Sequence, residues 1–240
     1  MPSFNLVHFQ NPAPERESGY AAWQRVTLSP RLLRVPGVKA LQFMAIQAVQ
    51  LQPLAVQPWR FCTLLEFEAA DSAQVLAAFG QHARSAATQE GLLAVDAAHL
   101  FELTRPHLPS LVPETIDESA PLHLAFVMGN CIEGKEVEYD RWYDELHSVE
   151  VLGTPHFASM RRGVIASAQA EPANEQPANR LVLLSIRTRD LHASIEEFIA
   201  RAHGTSASGI KWAPRESAAA FASLKRTTHV FTPFSPRLTA

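Results

Sequence analysis

Glycine is scarce in this 240-residue chain. There are ten, and no two of them stand two positions apart, so the G-x-G opening of a dinucleotide-binding turn is absent. Cysteine is scarcer still. Cys62 and Cys131 have neither metal-ligand spacing nor the dense pattern of a disulfide-stapled domain, and read as thiols of a cytoplasmic protein. No apolar run approaches the ~20 residues of a membrane helix, and the first residues carry no basic start and no apolar signal core. Charged residues make up 19 %, below the usual ~25 %. The net charge of −3 leaves no electrostatic footprint for nucleic acid or an anionic membrane. Gly129, Gly134 and Lys135 have the spacing of a phosphate loop. Glu136 stands where Ser or Thr would hold magnesium, and it would repel phosphate.

What the chain does contain is a hydrophobic fraction of 47 % and a repeat. Shifting the sequence by 119 positions matches Tyr20 with Tyr139, Trp23 with Trp142, Pro36 with Pro155, Gln57-Pro58 with Gln176-Pro177, and Phe79 with Phe198. Pro53 falls on Pro172. Residues 17–79 give 15 identities in 63 ungapped positions, where ordinary residue frequencies near 6 % give roughly four. A segment near 106–121, rich in proline and acidic residues, reads as the linker. The expected organisation is one unit over 1–110 and a second over 121–235.

Each unit reads as β-α-β-β-α-β, the split βαβ arrangement. In the second, strands are expected at 122–128, 157–166, 180–186 and 221–230. Helices are expected at 136–152 and 191–203, with Asp190 capping the latter and a hairpin loop at 168–179. The first helix carries Tyr139, Trp142, Leu146 and Val149 as its apolar stripe. In the first unit a helix over 19–35 is expected to break at Pro30. A lone unit leaves one sheet face bare, whereas two can bury those faces against each other. The expected fold is therefore α+β: two tandem ferredoxin-like units forming one barrel with helices outside.

The run Tyr139-Asp-Arg-Trp142-Tyr143-Asp144-Glu145-Leu-His147, followed by Pro155-His-Phe157 and Arg161-Arg162, resembles the EthD-like branch of the dimeric α/β-barrel superfamily. The match is carried by residues 136–163 and departs at His156, where the family usually has glycine. In the first unit Leu28, Gln42 and Phe43 replace His147, Arg161 and Arg162, so that half is expected to be a structural partner that has lost the site. The superfamily comprises lactone isomerases, polyketide cyclases, cofactor-free monooxygenases and lyases, with a haem-binding branch. The fold by itself selects none of these.

The candidate catalytic residues are His147, His123, Tyr143, Arg161 and Arg162. His147 has Tyr143 at i−4 and Glu150 at i+3, so a carboxylate could orient its imidazole for acid–base work. His123 and His8 alternate with the bulky residues of their strands. If the bulky side meets the helices, both histidines face the barrel interior as pocket residues. Arg161 and Arg162 point to opposite faces. The inward one could stabilise an enolate or phenolate, while the other pairs with helix acids such as Asp144. Trp23 and Trp142 read as core packing. Trp59 and Trp212, unmatched by the repeat, are expected with His8 to line a pocket for an aromatic substrate.

The leading expectation is a cofactor-independent lyase, isomerase or cyclase acting on a small apolar metabolite by proton transfer. No metal site is expected. The alternatives are a haem-binding oxidoreductase on the same barrel, since one histidine suffices as ligand, and a non-catalytic small-molecule-binding protein. An exposed outer strand could pair two chains as a homodimer.

Overall fold

The computed structural model describes residues 1–52, 57–171, 176 and 178–240. The hairpin loop expected at 168–179 lies partly outside the described residues, and Pro53, Pro172 and Pro177 lie wholly outside them. The main strands are β1 (Ser3–Pro12), β2 (Val38–Ile46), β3 (Phe61–Glu68), β4 (Leu93–Leu103), β6 (Leu122–Cys131), β7 (Phe157–Ile165), β8 (Arg180–Arg187) and β9 (Ala222–Pro233). Short strands β5 (Leu108–Pro109) and β10 (Leu238–Thr239) pair with β7 and β2. Four helical segments cover the outside: α1 over 17–33, α2 over 73–89, α3 over 136–152 and α4 (Leu191–His203). Among the described residues no helix is long and apolar enough to cross a membrane.

The strand order is β2-β3-β1-β4-β7-β8-β6-β9, and β9 pairs again with β2. The sheet thus closes into an eight-stranded antiparallel ring and leaves those strands no bare edge. One seam joins Phe101–Leu103 to Gly163–Ile165. A Cβ at Gly163 would sit 2.8 Å from the Glu102 carbonyl oxygen, so glycine permits that approach. The other seam joins Met44–Ile46 to Phe231–Pro233. The architecture is α+β, an antiparallel sheet with helices outside.

Side chains sort into three cores. Phe4, Leu6, Leu41, Phe43, Leu65 and Phe67 pack under α1 and α2 with Tyr20, Trp23, Leu28 and Phe79. Ala125, Phe157, Met160, Leu184 and Ile186 pack under α3 and α4 with Tyr139, Tyr143 and Phe198. Val7, Phe9, Leu64, Phe101, Leu124, Phe126, Met128, Leu183 and Phe231 fill the ring. This corrects the expected strand polarity. The bulky residues Val7, Phe9, Leu124, Phe126 and Met128 point into the barrel, and His8 and His123 point to the helix layers. The reason is volume, because eight strands enclose a space that large side chains fill. Phe9 stacks near Trp59 (5.9 Å) and packs on Phe126 (6.0 Å), Phe231 (5.9 Å) and His229 (5.1 Å).

The helices depart from the expected stripe. α1 contains a π turn at Gln24–Leu28, α2 at Gly80–Ser85 and α3 at Tyr143–His147. Such a turn bonds i to i−5 and advances the buried face by one residue. Tyr139, Tyr143, Ser148, Val151 and Leu152 are therefore buried, while Leu146 and Val149 are 38 % and 50 % exposed. α1 runs past Pro30 without the expected break. The Ser29 amide bonds to the Gln24 carbonyl, and Pro30 starts the following α turn, where its missing donor costs little. Asp190 caps α4 through the Ala193 amide (2.9 Å). His156 takes φ +71° where the matched position, Gly37, has φ +91°. Its amide and Nδ1 bond Thr115 Oγ1 (3.1 Å) and O (3.0 Å), which offsets the left-handed strain.

Four histidines are buried. His8, His99, His123 and His229 all lie below the ordinary imidazole pKa because burial disfavours the cation, and His229 falls to about 4. A depressed native pKa leaves stability intact above the unfolded value near 6.5. Stability is lost as pH falls toward the native value, because only the unfolded state takes the proton in that window. Lowering the pH from 7 to 4 is expected to cost about 3 kcal/mol at His229 alone. Urea unfolding at pH 7, 5.5 and 4 should show the midpoint falling steadily, and more shallowly in His229→Gln.

Candidate functional site

The second half of the chain holds a cleft between α3 and the outer sheet face. Two adjoining cavities of about 40 and 20 Å³ share Val127, Tyr143, His147, Val182 and Arg226 as lining. Tyr143 and His147, four residues apart, share the sheet-facing side of α3, and the π turn between them shifts the buried face of the following turns to Ser148, Val151 and Leu152. His147 is anchored by Glu150, whose Oε2 lies 3.1 Å from Nδ1. The other carboxylate oxygen accepts the Ala213 amide at 2.6 Å. Glu150 thus ties the imidazole to the segment that carries Trp212. This pairing fixes the ring's orientation through Nδ1.

Aromatic rings surround His147. Trp142 stacks on it at 4.4 Å and 11°, Tyr143 meets it edge-on at 5.1 Å, and Trp212 at 5.7 Å. The Nε1 atoms of Trp142 and Trp212 are buried and have no acceptor among the described residues. Buried donors are ordinarily satisfied, and an unsatisfied one costs roughly 1–3 kcal/mol. Arg162 lies over the Tyr143 ring at 4.9 Å. It bonds Asp144 and sits 3.9 Å from Asp140, both on α3. Burial, and then the adjacent Tyr143, push the Tyr139 hydroxyl far above its ordinary pKa, so it stays protonated.

The structure groups His147, Tyr143, Arg162 and Trp212 and places the other expected site residues elsewhere. Arg161 points into the barrel and bonds Glu66 at 2.6 Å. His123 lies four residues from Val127 on β6, roughly 13 Å along a strand. It is held by Thr232 Oγ1 (2.5 Å) and the Thr188 carbonyl (3.3 Å). His8 is sealed under α2, between Asp96 (2.8 Å) and Gln10 (2.6 Å), with Phe79 against its ring. Trp59 is partly buried and packs against the barrel core beside Phe9. Sequence reasoning assigned Trp142 to packing and passed over Arg226. Trp142 gave no separate signal, because its match with Trp23 read as a packing requirement. Arg226 lies on a strand whose facing pattern depends on closure of the ring.

The molecule resembles several solved structures over its whole length. An anthrone oxidase-like protein superposes with a TM-score of 0.62 at 10 % identity, covering 100 % of this chain and 93 % of that one. A monooxygenase-like protein of Fusobacterium nucleatum subsp. nucleatum gives 0.57 at 8 %, covering 100 % and 97 %. A haem-binding protein of Thermus thermophilus gives 0.51 at 10 %, covering 98 % and 92 %. What the likeness shows is a shared fold, an antiparallel sheet with helices outside. At these identities the likeness establishes the fold and no activity. No protein-family model matches the sequence, and no curated protein matches it.

Proposed function

We propose that the chain is an oxidoreductase that oxidises a small, flat aromatic or phenolic molecule at His147, using dioxygen. The observation that carries this reading is the pair of buried indole donors without acceptors beside an imidazole keyed by a carboxylate. A carbonyl or phenolate oxygen would satisfy one or both indoles, and developing negative charge on it would strengthen that bond. His147 would take the proton from the activated C–H or O–H group. For a ring methylene, both C–H bonds and the O–O bond break. One oxygen atom of dioxygen becomes the new ring carbonyl, and the other leaves as water with the two hydrogens. The substrate carbon is oxidised and dioxygen is reduced. The oxidative names of the neighbours agree with this reading and lend none to the lyase, isomerase or cyclase expected from the sequence.

We take the chain as a tandem pair of ferredoxin-like units, 1–110 and 121–235, in the EthD-like branch. In support, the bounds of β1, α1, β2 and β3 become those of β6, α3, β7 and β8 on adding 119, π turn included. Gln24, Gln10 and Thr63 then stand where Tyr143, Gly129 and Val182 stand. They bond one another at 2.9–3.0 Å, filling the first half's cleft and leaving the second as the working one.

Haem is the second reading, favoured by the His147–Glu150 pair, since ligating histidines commonly donate their other nitrogen to a carboxylate. The donor chemistry fits, but the room does not. Trp142 and Trp212 occupy the imidazole's surroundings, and cavities of about 40 and 20 Å³ fall far short of the ~300–1,000 Å³ of ligand pockets. No step is assigned to haem. The test is oxygen uptake by the purified full-length chain with anthrone as probe, alongside its visible spectrum. Uptake with matching ketone formation and no Soret band is expected. A Soret band formed on haem addition would favour haem, and anthrone binding without turnover would favour a binding protein.

A further inference from the structure

The barrel has a polar mouth that the oxidation leaves unused. A cavity of about 370 Å³ opens there, lined by Asn5, Lys39, Glu66, Arg105, His107 and Arg161 among others. Its volume lies within the range of small-molecule sites. It lies on the barrel face of the sheet, opposite the His147 cleft, and so does not depend on that reading.

Asn5 is the informative residue. It shares a strand face with Val7 and Phe9, which belong to the apolar barrel core, and is 0 % exposed. Neither its Oδ1 nor its Nδ2 has a hydrogen-bond partner among the described residues. Asn5 is the third residue of β1, and Leu124 is the third residue of β6. The fold therefore accepts leucine at the corresponding place. An unpaired amide is costly where leucine would serve, so the asparagine needs a reason outside folding.

The surrounding charge indicates the ligand. Lys39, Arg105 and Arg161 face Glu66 and Glu68 around the cavity, a formal sum of 3 − 2 = +1 with His107 neutral. Glu66 is shared by Arg161 (2.6 Å) and Arg237 (3.1 Å). Lys39 bonds Glu68 at 3.2 Å, and Arg105 bonds Asp140 at 2.7 Å. Arg161 commits Nη1 to Glu66, and a guanidinium carries five donors. Asn5 can donate and accept side by side.

We propose that this mouth is a binding site for a small carboxylate that also bears an amide, the carboxylate resting on the arginine side and the amide pairing with Asn5. The probe is N-acetylglycine, with N-acetylglycinamide as its uncharged counterpart. Both are titrated calorimetrically into the full-length chain, into Asn5→Leu and into Arg161→Gln.

The intact chain should bind N-acetylglycine saturably, and the amide counterpart at least tenfold more weakly. Asn5→Leu should weaken binding roughly tenfold or more while raising the ligand-free Tm by a few degrees, since an orphaned polar group has been removed. Arg161→Gln should weaken it as well, and keeps the test open if Asn5→Leu folds poorly. Absence of saturable binding at millimolar N-acetylglycine overturns the proposal. So does equal binding of the two probes, or affinity unchanged in both variants. Oxygen uptake at the His147 cleft is measured separately, so failure of either site leaves the other readable.

Discussion

His147→Ala is expected to slow the oxidation of an anthrone-type substrate by about 10²–10⁴-fold, the usual worth of a positioned acid–base group. The Tm should move little by comparison. The ring is partly exposed, with 14 % of its side chain accessible. The large effect is chemical. The imidazole is the group that Glu150 holds beside the two indole donors, while Tyr139 is held protonated by burial. The check is an oxygen electrode read alongside product absorbance at saturating substrate, with thermal melts of the same preparations. A variant that oxidises as fast as the parent would remove His147 from the reaction. A variant that loses activity together with most of its Tm would make the residue structural.

Phe9→Ala is the largest stability change expected. Phe9 is 1 % exposed and lies among Trp59, Phe126, His229 and Phe231 at the centre of the ring. Strands on all sides hold the ring open, so the space left behind cannot collapse. A loss of about 3–5 kcal/mol is expected, or a Tm lower by roughly 6–20 °C for a chain of this size. Leu146→Ala is the contrast. The apolar stripe ranks Leu146 as core, but the π turn carries it outward, and its loss should lie within about 0.5 kcal/mol. Thermal and urea unfolding of the two variants side by side check both the barrel core and the phase of α3.

The sequence carried a good part of the fold because element bounds are set locally. Alternating apolar runs mark the strands, Asp190 caps α4, and Gly153 and Pro155 end α3. A shift of 119 residues brings one half onto the other, which tied the weaker first half to the clearer second. His147, Tyr143 and the nearby Glu150 were legible because they lie within two helical turns of one another. What the sequence could not show was direction. Whether Val7 or His8 faces the barrel depends on how much volume eight closed strands enclose, and that is set when β2 pairs with β9 across the whole chain. The same closure sent Arg161 to the mouth beside Glu66 and Arg162 to Asp144, and it brought Asn5 to its unpaired place. The π turn that shifts the buried face after His147 was hidden because the composition of 143–147 does not reveal it. The segment ties itself to Trp212 through Glu150 only once α3, α4 and the sheet have packed.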